Sequence, residues 1–180
     1  MVNKRLLDAL VEELPDKLGT IFGLAAGKRE ACSTFSRLLA EVLSEFGIVS
    51  EVKPVYIETA NQAGMDYQQG KISLEEAQKR GGKIQVFGDI RMGQAYQHAV
   101  CYIPAWGVVV DLTMEPRLSK LVPVHPYWAE WVGGLPWWIK HFQFMSYPLE
   151  YRGYETHPAE VKKAKEVIRA IVMKYAKPSI

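Results

Sequence analysis

Cysteine is scarce in this 180-residue chain, which contains only Cys32 and Cys101. Two cysteines suggest no disulfide framework, so we expect a reducing compartment, the cytoplasm. The sequence also lacks any apolar run near the ~20 residues that a membrane span requires. Residues 1–18 mix charged and apolar side chains, which is typical of an amphipathic helix and not of a signal peptide. These absences favour a cytoplasmic protein without membrane attachment.

The chain also has no large excess of positive or negative charge. The 22 Lys and Arg nearly balance the 20 Asp and Glu, and the basic residues form no long run interleaved with aromatics, so we expect no nucleic acid partner. His125, His141 and His157 have no Cys, Asp or Glu at metal-ligand spacing, so we expect no metal site. Nothing in the sequence implies an organic cofactor. The length and the 48% hydrophobic content are those of one globular domain.

Cys32 opens a strongly amphipathic stretch. After it, apolar residues recur at a spacing of three and four, which predicts a helix with one buried stripe: Phe35, Leu38, Leu39, Val42, Leu43 and Phe46. Cys32 then lies in the first helical turn, where backbone N–H groups are unpaired and the helix dipole is positive. Both features stabilise a thiolate, and the same N–H groups suit an oxyanion that forms on a substrate carbonyl.

His98 and Asp111 lie on two short segments rich in β-branched residues, joined by the turn at residues 104–107. If Ile103 faces Val108 across that turn, Asp111 faces Val100. Side chains alternate along a strand, so His98 shares the face of Val100 and is a diagonal neighbour of Asp111. The sequence therefore predicts an Asp111–His98 hydrogen bond, with the imidazole facing a thiol supplied by the helix.

Each of these residues also has a structural interpretation. Free cysteine is among the most buried residue types, so Cys32 taken alone is more often a core residue. His98 alone fits a hydrogen-bonded structural histidine, and Asp111 alone fits a strand-end residue that caps a turn. Their occurrence together favours catalysis. Cys101 lies in mid-strand on the face opposite His98 and is predicted to be an inert core residue.

The order of Cys at a helix start, His on a strand and Asp on the next strand resembles the transglutaminase-like branch of the papain-type cysteine enzymes. Local sequence at residues 98–100, 110–113 and 43–48 carries the likeness, which covers roughly residues 28–113. The resemblance implies that Cys32 is the nucleophile, His98 the general base and acid, and Asp111 the residue that orients His98.

The fold implied by the resemblance is α+β and papain-like, with the nucleophile helix packed on an antiparallel sheet and flanking helices at both termini. One transglutaminase-like domain would span residues 1–180, with a core at about 28–113, an aromatic-rich wrap at 114–155 and a C-terminal helix at 156–177. The implied function is acyl transfer through a Cys32 thioester, from a peptide, protein or small amide or ester. It ends in hydrolysis or in transfer to an amine. The oligomeric state stays open.

Periodicity and turn residues predict the remaining elements. A first helix at residues 3–13 ends before Pro15, and Gly47 ends the Cys32 helix. A strand covers residues 52–59, where Pro54 indicates a sheet edge or a strand start. The other predicted elements are a helix at 73–80 with a Ser73–Glu76 capping box, a strand at 84–87 and a helix at 158–176.

Residues 123–154 contain four of the five tryptophans: Trp128, Trp131, Trp137 and Trp138. The structural interpretation is an irregular wrap that buries its rings against the core. A second interpretation makes these four residues the wall of an acyl-binding groove. In a third, the transglutaminase-like fold is catalytically weak or inactive and binds a protein through this Trp- and Tyr-rich segment.

Overall fold

Helices and an antiparallel sheet make up the described part of the computed structural model, which is residues 1–23, 31–88, 97–114, 124–149 and 151–176. The protein is therefore α+β, as predicted. In chain order the elements are α1 (Lys4–Ile21), α2 (Ala31–Glu45), β1 (Glu51–Ala60), α3 (Gln62–Gln68), α4 (Leu74–Lys79), β2 (Ile84–Phe87), β3 (Ala99–Ile103), β4 (Val108–Asp111), β5 (Tyr127–Glu130), β6 (Ile139–Phe144), α5 (Arg152–Thr156) and α6 (Pro158–Tyr175). None of these described helices is both long and apolar enough to cross a membrane.

The sheet runs β2-β1-β3-β4-β5, and β6 also pairs with β1. Strand β1 changes partner along its length: residues 51–54 pair with β3, and residues 57–60 pair with β2. The β3–β4 hairpin has the predicted register, since Ile103 pairs with Val108 across a 3-10 turn at Pro104–Trp106. Gly107 closes that turn at φ 63°, a left-handed conformation that favours glycine.

Strand β1 pairs on both of its sides, but within the described residues Pro54 has a ladder partner in β3 alone, because the β6 ladder begins at Val55. Pro54 faces Ala99 of β3, and the neighbouring Val55 N–H donates to the His98 carbonyl at 2.9 Å. Because Val55 makes the hydrogen bond to β3, its neighbour Pro54 forms a non-hydrogen-bonded pair with Ala99. The β1–β3 ladder therefore needs no N–H from Pro54. Proline is tolerated there because its missing donor points away from β3.

Two hydrophobic clusters lie on opposite faces of the sheet. On one face α1, α2 and α6 pack against Cys101, Ile103, Val108 and Val110. On the other face Val100 and Val109 pack with Tyr127, Ala129 and Trp138. The alternation along β3 and β4 is the predicted one, and it places His98 and Asp111 on the strand face opposite Cys101.

Helix α1 continues through Pro15 to Ile21, so the prediction that it ends before Pro15 was wrong. Proline inside a helix costs about 3 kcal/mol because a backbone hydrogen bond is lost. Leu14 and Leu18 on either side of it are completely buried. Burial of a leucine contributes about 1.5–3 kcal/mol, so these two residues offset the cost and extend the helix.

The other predicted boundaries agree with the structure. Helix α2 ends in a Schellman motif, in which the Gly47 N–H donates to Ser44 and the Ile48 N–H donates to Leu43, with Gly47 at φ 75°. Ser73 caps α4 by accepting from the Glu76 N–H. Strands β1 and β2 and helix α6 are also confirmed. Helix α3 was not predicted.

The aromatic segment is more regular than the predicted wrap. Within its described residues it supplies two strands of the sheet, β5 and β6. Residues 115–123 and 150 of the predicted wrap lie outside the described residues. The six residues of β6 alternate in burial along part of their length, and they bury Ile139 against β1. The segment therefore extends the sheet at both β4 and β1.

Candidate active site

Helix α2 holds Cys32 beside the start of β3. The Cys32 Sγ donates to the Gln97 carbonyl at 3.3 Å, and one turn later the Ser36 Oγ donates to the Ala99 carbonyl at 3.2 Å. Four helical residues advance ~6 Å and two strand residues ~6.7 Å, so the two spacings match. Cys32 is the second residue of α2, in its first turn, as predicted.

The predicted contact between His98 and Asp111 is present. The imidazole Nε2 lies 2.6 Å from the Asp111 Oδ2, across the β3–β4 hairpin. The other carboxylate oxygen, Oδ1, accepts from the Thr113 N–H at 3.0 Å and from the Thr113 hydroxyl at 3.2 Å. Thr113 therefore fixes the carboxylate, and the carboxylate fixes the imidazole with a proton on Nε2.

The Cys32 thiol is the second partner of the imidazole. His98 is hydrogen-bonded to Cys32 as well as to Asp111. Because Nε2 is engaged by the carboxylate, Nδ1 is the nitrogen that remains for Cys32. The structure thus brings together all three predicted catalytic residues: Cys32 at a helix start, His98 immediately before β3 and Asp111 at the end of β4.

Charge keeps this imidazole protonated. Burial alone would lower the pKa of His98, but the Asp111 carboxylate, by its charge and its hydrogen bond, and to a smaller extent Cys32, raise this pKa to about 10. At neutral pH the imidazole therefore carries a proton on each of its nitrogens.

The three side chains are almost withdrawn from solvent. The exposed fraction is 4% for Cys32, 6% for His98 and 0% for Asp111. Water screens little in such a site, so each charge acts strongly on its neighbours. A positioned thiol, a base that touches it and an acid that orients the base are the three parts of nucleophilic acyl transfer.

Sequence reasoning missed three residues around the triad. The phenol of Tyr147 lies 3.4 Å from the His98 backbone nitrogen and 3.4 Å from the His98 carbonyl. The ring of Phe87 packs beside the imidazole, with 5.7 Å between centroids. Gln97 supplies the carbonyl that faces the thiol. Only Gln97 could have been identified from the sequence, because it directly precedes His98. Tyr147 and Phe87 come close to His98 only in the folded chain.

The four tryptophans predicted to bind substrate are not gathered into one wall. Trp128 packs against the helix-side cluster and donates its indole N–H to Asp8 at 2.7 Å. Trp138 is 2% exposed in the cluster on the other face. Trp131 is 37% exposed and packs against Phe144 with the two rings tilted by 50°, and Trp137 is 55% exposed. Trp138 packs on Tyr127, which is the strand partner of Asp111.

Cys101 occupies a different environment from Cys32. It is completely buried in the helix-side cluster, as predicted, and burial raises the pKa of its thiol to about 12. Among the residues that the structure describes, no three His, Cys, Asp or Glu side chains are grouped as metal ligands.

Comparison of the chain with known protein families, with curated proteins and with solved structures gave no match.

Proposed function

We propose that the protein is a cysteine acyltransferase or hydrolase in which Cys32, His98 and Asp111 form the catalytic triad. The observation that carries this proposal is one imidazole that bonds a buried carboxylate at 2.6 Å and also bonds a thiol in the first turn of a helix. Within the α+β class, the proposed fold is then papain-like and transglutaminase-like. That arrangement of helix start and hairpin is the one that the sequence resemblance implies.

The chemistry proceeds through a thioester. The Cys32 thiolate attacks the carbonyl carbon of an amide or ester, and the electron pair of the carbonyl moves to oxygen. When the tetrahedral intermediate collapses, the bond from carbon to the leaving nitrogen or oxygen breaks, and the leaving group takes its proton from His98. Water or an amine then attacks the thioester, gives a proton to His98 and releases Cys32. The product is an acid or a new amide.

The helix start contributes to the first step. Backbone N–H groups in the first turn of α2 have no intrahelical acceptor, and Cys32 is itself in that turn. An oxyanion on the carbonyl bonded to Sγ accepts hydrogen bonds from such groups. Candidate acyl donors are a peptide, a protein or a small amide or ester.

The proposal predicts selective labelling of Cys32. With iodoacetamide, Cys32 in the native protein is expected to react well below pH ~8.5, the titration point of an ordinary thiol, because the adjacent imidazolium stabilises the thiolate. Cys101 is expected to react only after unfolding, since it is completely buried. Mass spectrometry of peptides from native and denatured samples, across pH 5 to 10, measures both.

His98→Gln is the control for this experiment, because it removes the imidazolium and keeps a side chain of similar length. It should shift the labelling of Cys32 towards the pH range of an ordinary thiol. Equal, slow labelling of Cys32 and Cys101 in the native protein would contradict the proposal.

A second function is favoured by one observation, three exposed apolar side chains close together in sequence. Trp131, Val132 and Trp137 are 37%, 72% and 55% exposed at the turn between β5 and β6. Exposed indoles are typical of protein-binding surfaces. Under this function the triad residues are retained for packing, and the chain is a binding module.

Tryptophan fluorescence separates this surface from a groove beside Cys32. Because Trp131 and Trp137 are exposed, we expect acrylamide to quench part of the emission, and a bulky naphthyl adduct on Cys32 to leave that part unchanged. Trp137→Phe should remove most of the quenchable signal. Protection of the indoles by the adduct would instead place them beside the triad.

A further inference from the structure

The peptide group between Gln97 and His98 is held from both sides. Its carbonyl accepts from the Cys32 Sγ at 3.3 Å, and its N–H faces the Tyr147 hydroxyl at 3.4 Å between nitrogen and oxygen. In a trans peptide the carbonyl and the N–H point in opposite directions. Tyr147 therefore lies across the peptide from the thiol. From there the hydroxyl contacts the backbone of His98.

The Tyr147 hydroxyl also lies at the junction where β1 changes partner. It is 3.4 Å from the Val55 carbonyl and 3.4 Å from the His98 carbonyl. A phenol has one proton, so it donates to one of these carbonyls while it accepts from the His98 N–H. Val55 in turn donates to the His98 carbonyl at 2.9 Å. One side chain thus links β1 to the residue that carries the imidazole.

Two neighbours keep the hydroxyl in place. The side chain of Gln97 donates to the Pro148 carbonyl at 3.0 Å, which holds the residue after Tyr147 against the start of β3. Gly88, at φ 76°, leaves the space that the hydroxyl uses. A Cβ on Gly88 would lie 1.9 Å from the Val55 carbonyl oxygen and 3.2 Å from the Tyr147 oxygen. Only glycine fits there without displacing the backbone.

We infer that Tyr147 is a positioning residue of the triad, which holds the His98 backbone where the imidazole contacts Asp111 and Cys32 at once. The inference rests on the proposed function. It follows from geometry: Asp111 fixes one end of the ring, and the backbone at His98 decides where the other end lies. Active sites need their groups within ~0.5 Å of the productive geometry, and a misplacement of ~1 Å costs ~10²-fold in rate.

Tyr147→Phe tests the inference, because it removes one oxygen and keeps the ring. The rate of Cys32 alkylation by iodoacetamide is expected to fall about 10-fold at pH 6–7, where the thiolate depends on the imidazolium. Above pH ~9.5 an ordinary thiol is ionised without a partner, so the rates of variant and wild type should converge. Tyr151→Phe is the matched control: it is in the same segment and also half-buried, but its ring lies against Arg37 at 4.6 Å. Its labelling profile should equal that of the wild type.

Two results would overturn the role of Tyr147: an unchanged pH profile, or a loss of rate that is equal at every pH. If Tyr147→Phe does not fold, Gln97→Ala provides the test. It removes the hydrogen bond to the Pro148 carbonyl and keeps the tyrosine. The same low-pH loss in that variant supports the inference, and a wild-type profile overturns it. Failure of the proposed function is distinguishable, because wild-type Cys32 would then show no labelling at pH 6–7.

Discussion

Asp111→Asn is expected to leave the protein folded and to slow acylation of Cys32 by ~10²-fold or more at pH 7, and by as much as ~10⁴-fold for an amide substrate. The physical reason is the tautomer of His98. In the wild type Nε2 donates a proton to the Asp111 Oδ2 at 2.6 Å, so Nδ1 is the nitrogen that holds the proton given up by the thiol. An amide NH₂ at that position makes Nε2 the acceptor and moves the ring proton to Nδ1.

Thr113 determines which way the new amide points. Its N–H donates to the Asp111 Oδ1 at 3.0 Å, so an asparagine must place its carbonyl oxygen there. The NH₂ group is then directed at His98, because rotation of the amide would set this NH₂ against the Thr113 N–H. The Thr113 N–H therefore holds the asparagine in the orientation that puts the His98 ring proton on Nδ1. The variant does not recover activity by turning its amide.

The measurement is single-turnover acylation with p-nitrophenyl acetate, followed by release of p-nitrophenolate, with Cys32→Ser as the blank. Thr113→Val is the matched control, because it removes the hydroxyl at 3.2 Å and keeps the N–H that orients the carboxylate. It should retain most of the rate. An Asp111→Asn variant that folds and acylates as fast as the wild type would show that the carboxylate is not part of the machinery. A variant that unfolds would make it structural.

The part of the site that the sequence predicts is the part fixed by local rules. The turn at Pro104–Trp106 sets the Ile103–Val108 register, and alternation then carries His98 to Asp111 without further information. The apolar period of α2 places Cys32 in its first turn. The meeting of helix and hairpin was inferred from family resemblance, since no local rule orients one against the other.

What the sequence does not predict depends on packing at a distance. Helix α1 runs through Pro15 because the buried Leu14 and Leu18 outweigh the local cost. Tyr147 contacts His98 although it lies 49 positions further along the chain, and its hydroxyl uses the space that Gly88 leaves. Strands β5 and β6 are short and separated by Gly and Pro, so their alternation was concealed by turn residues.

The stability of the wild-type protein is expected to fall as pH rises from about 6.5 to 10. His98 has a pKa of about 10 in the folded protein, because the Asp111 carboxylate outweighs the effect of burial, against ~6.5 in an unfolded chain. The folded state then holds a proton that the unfolded state has lost. This stabilisation is complete below pH ~6.5 and disappears as pH rises through 10, with a slope of at most ~1.4 kcal/mol per pH unit and a total of a few kcal/mol.

Asp111→Asn should reverse the sign of that dependence. Without the carboxylate, burial is the dominant influence on His98 and lowers its pKa below that of the unfolded chain. The unfolded state then binds the extra proton, so the stability of the variant falls as pH decreases through ~6.5 and not as it rises. Urea unfolding of both proteins at pH 5.5, 7, 8 and 9 measures the difference. Cys101, whose pKa burial raises to about 12, adds the same loss to both proteins at high pH and cancels in the comparison. Parallel pH profiles for wild type and variant would show that the Asp111 carboxylate does not hold His98 in its protonated form.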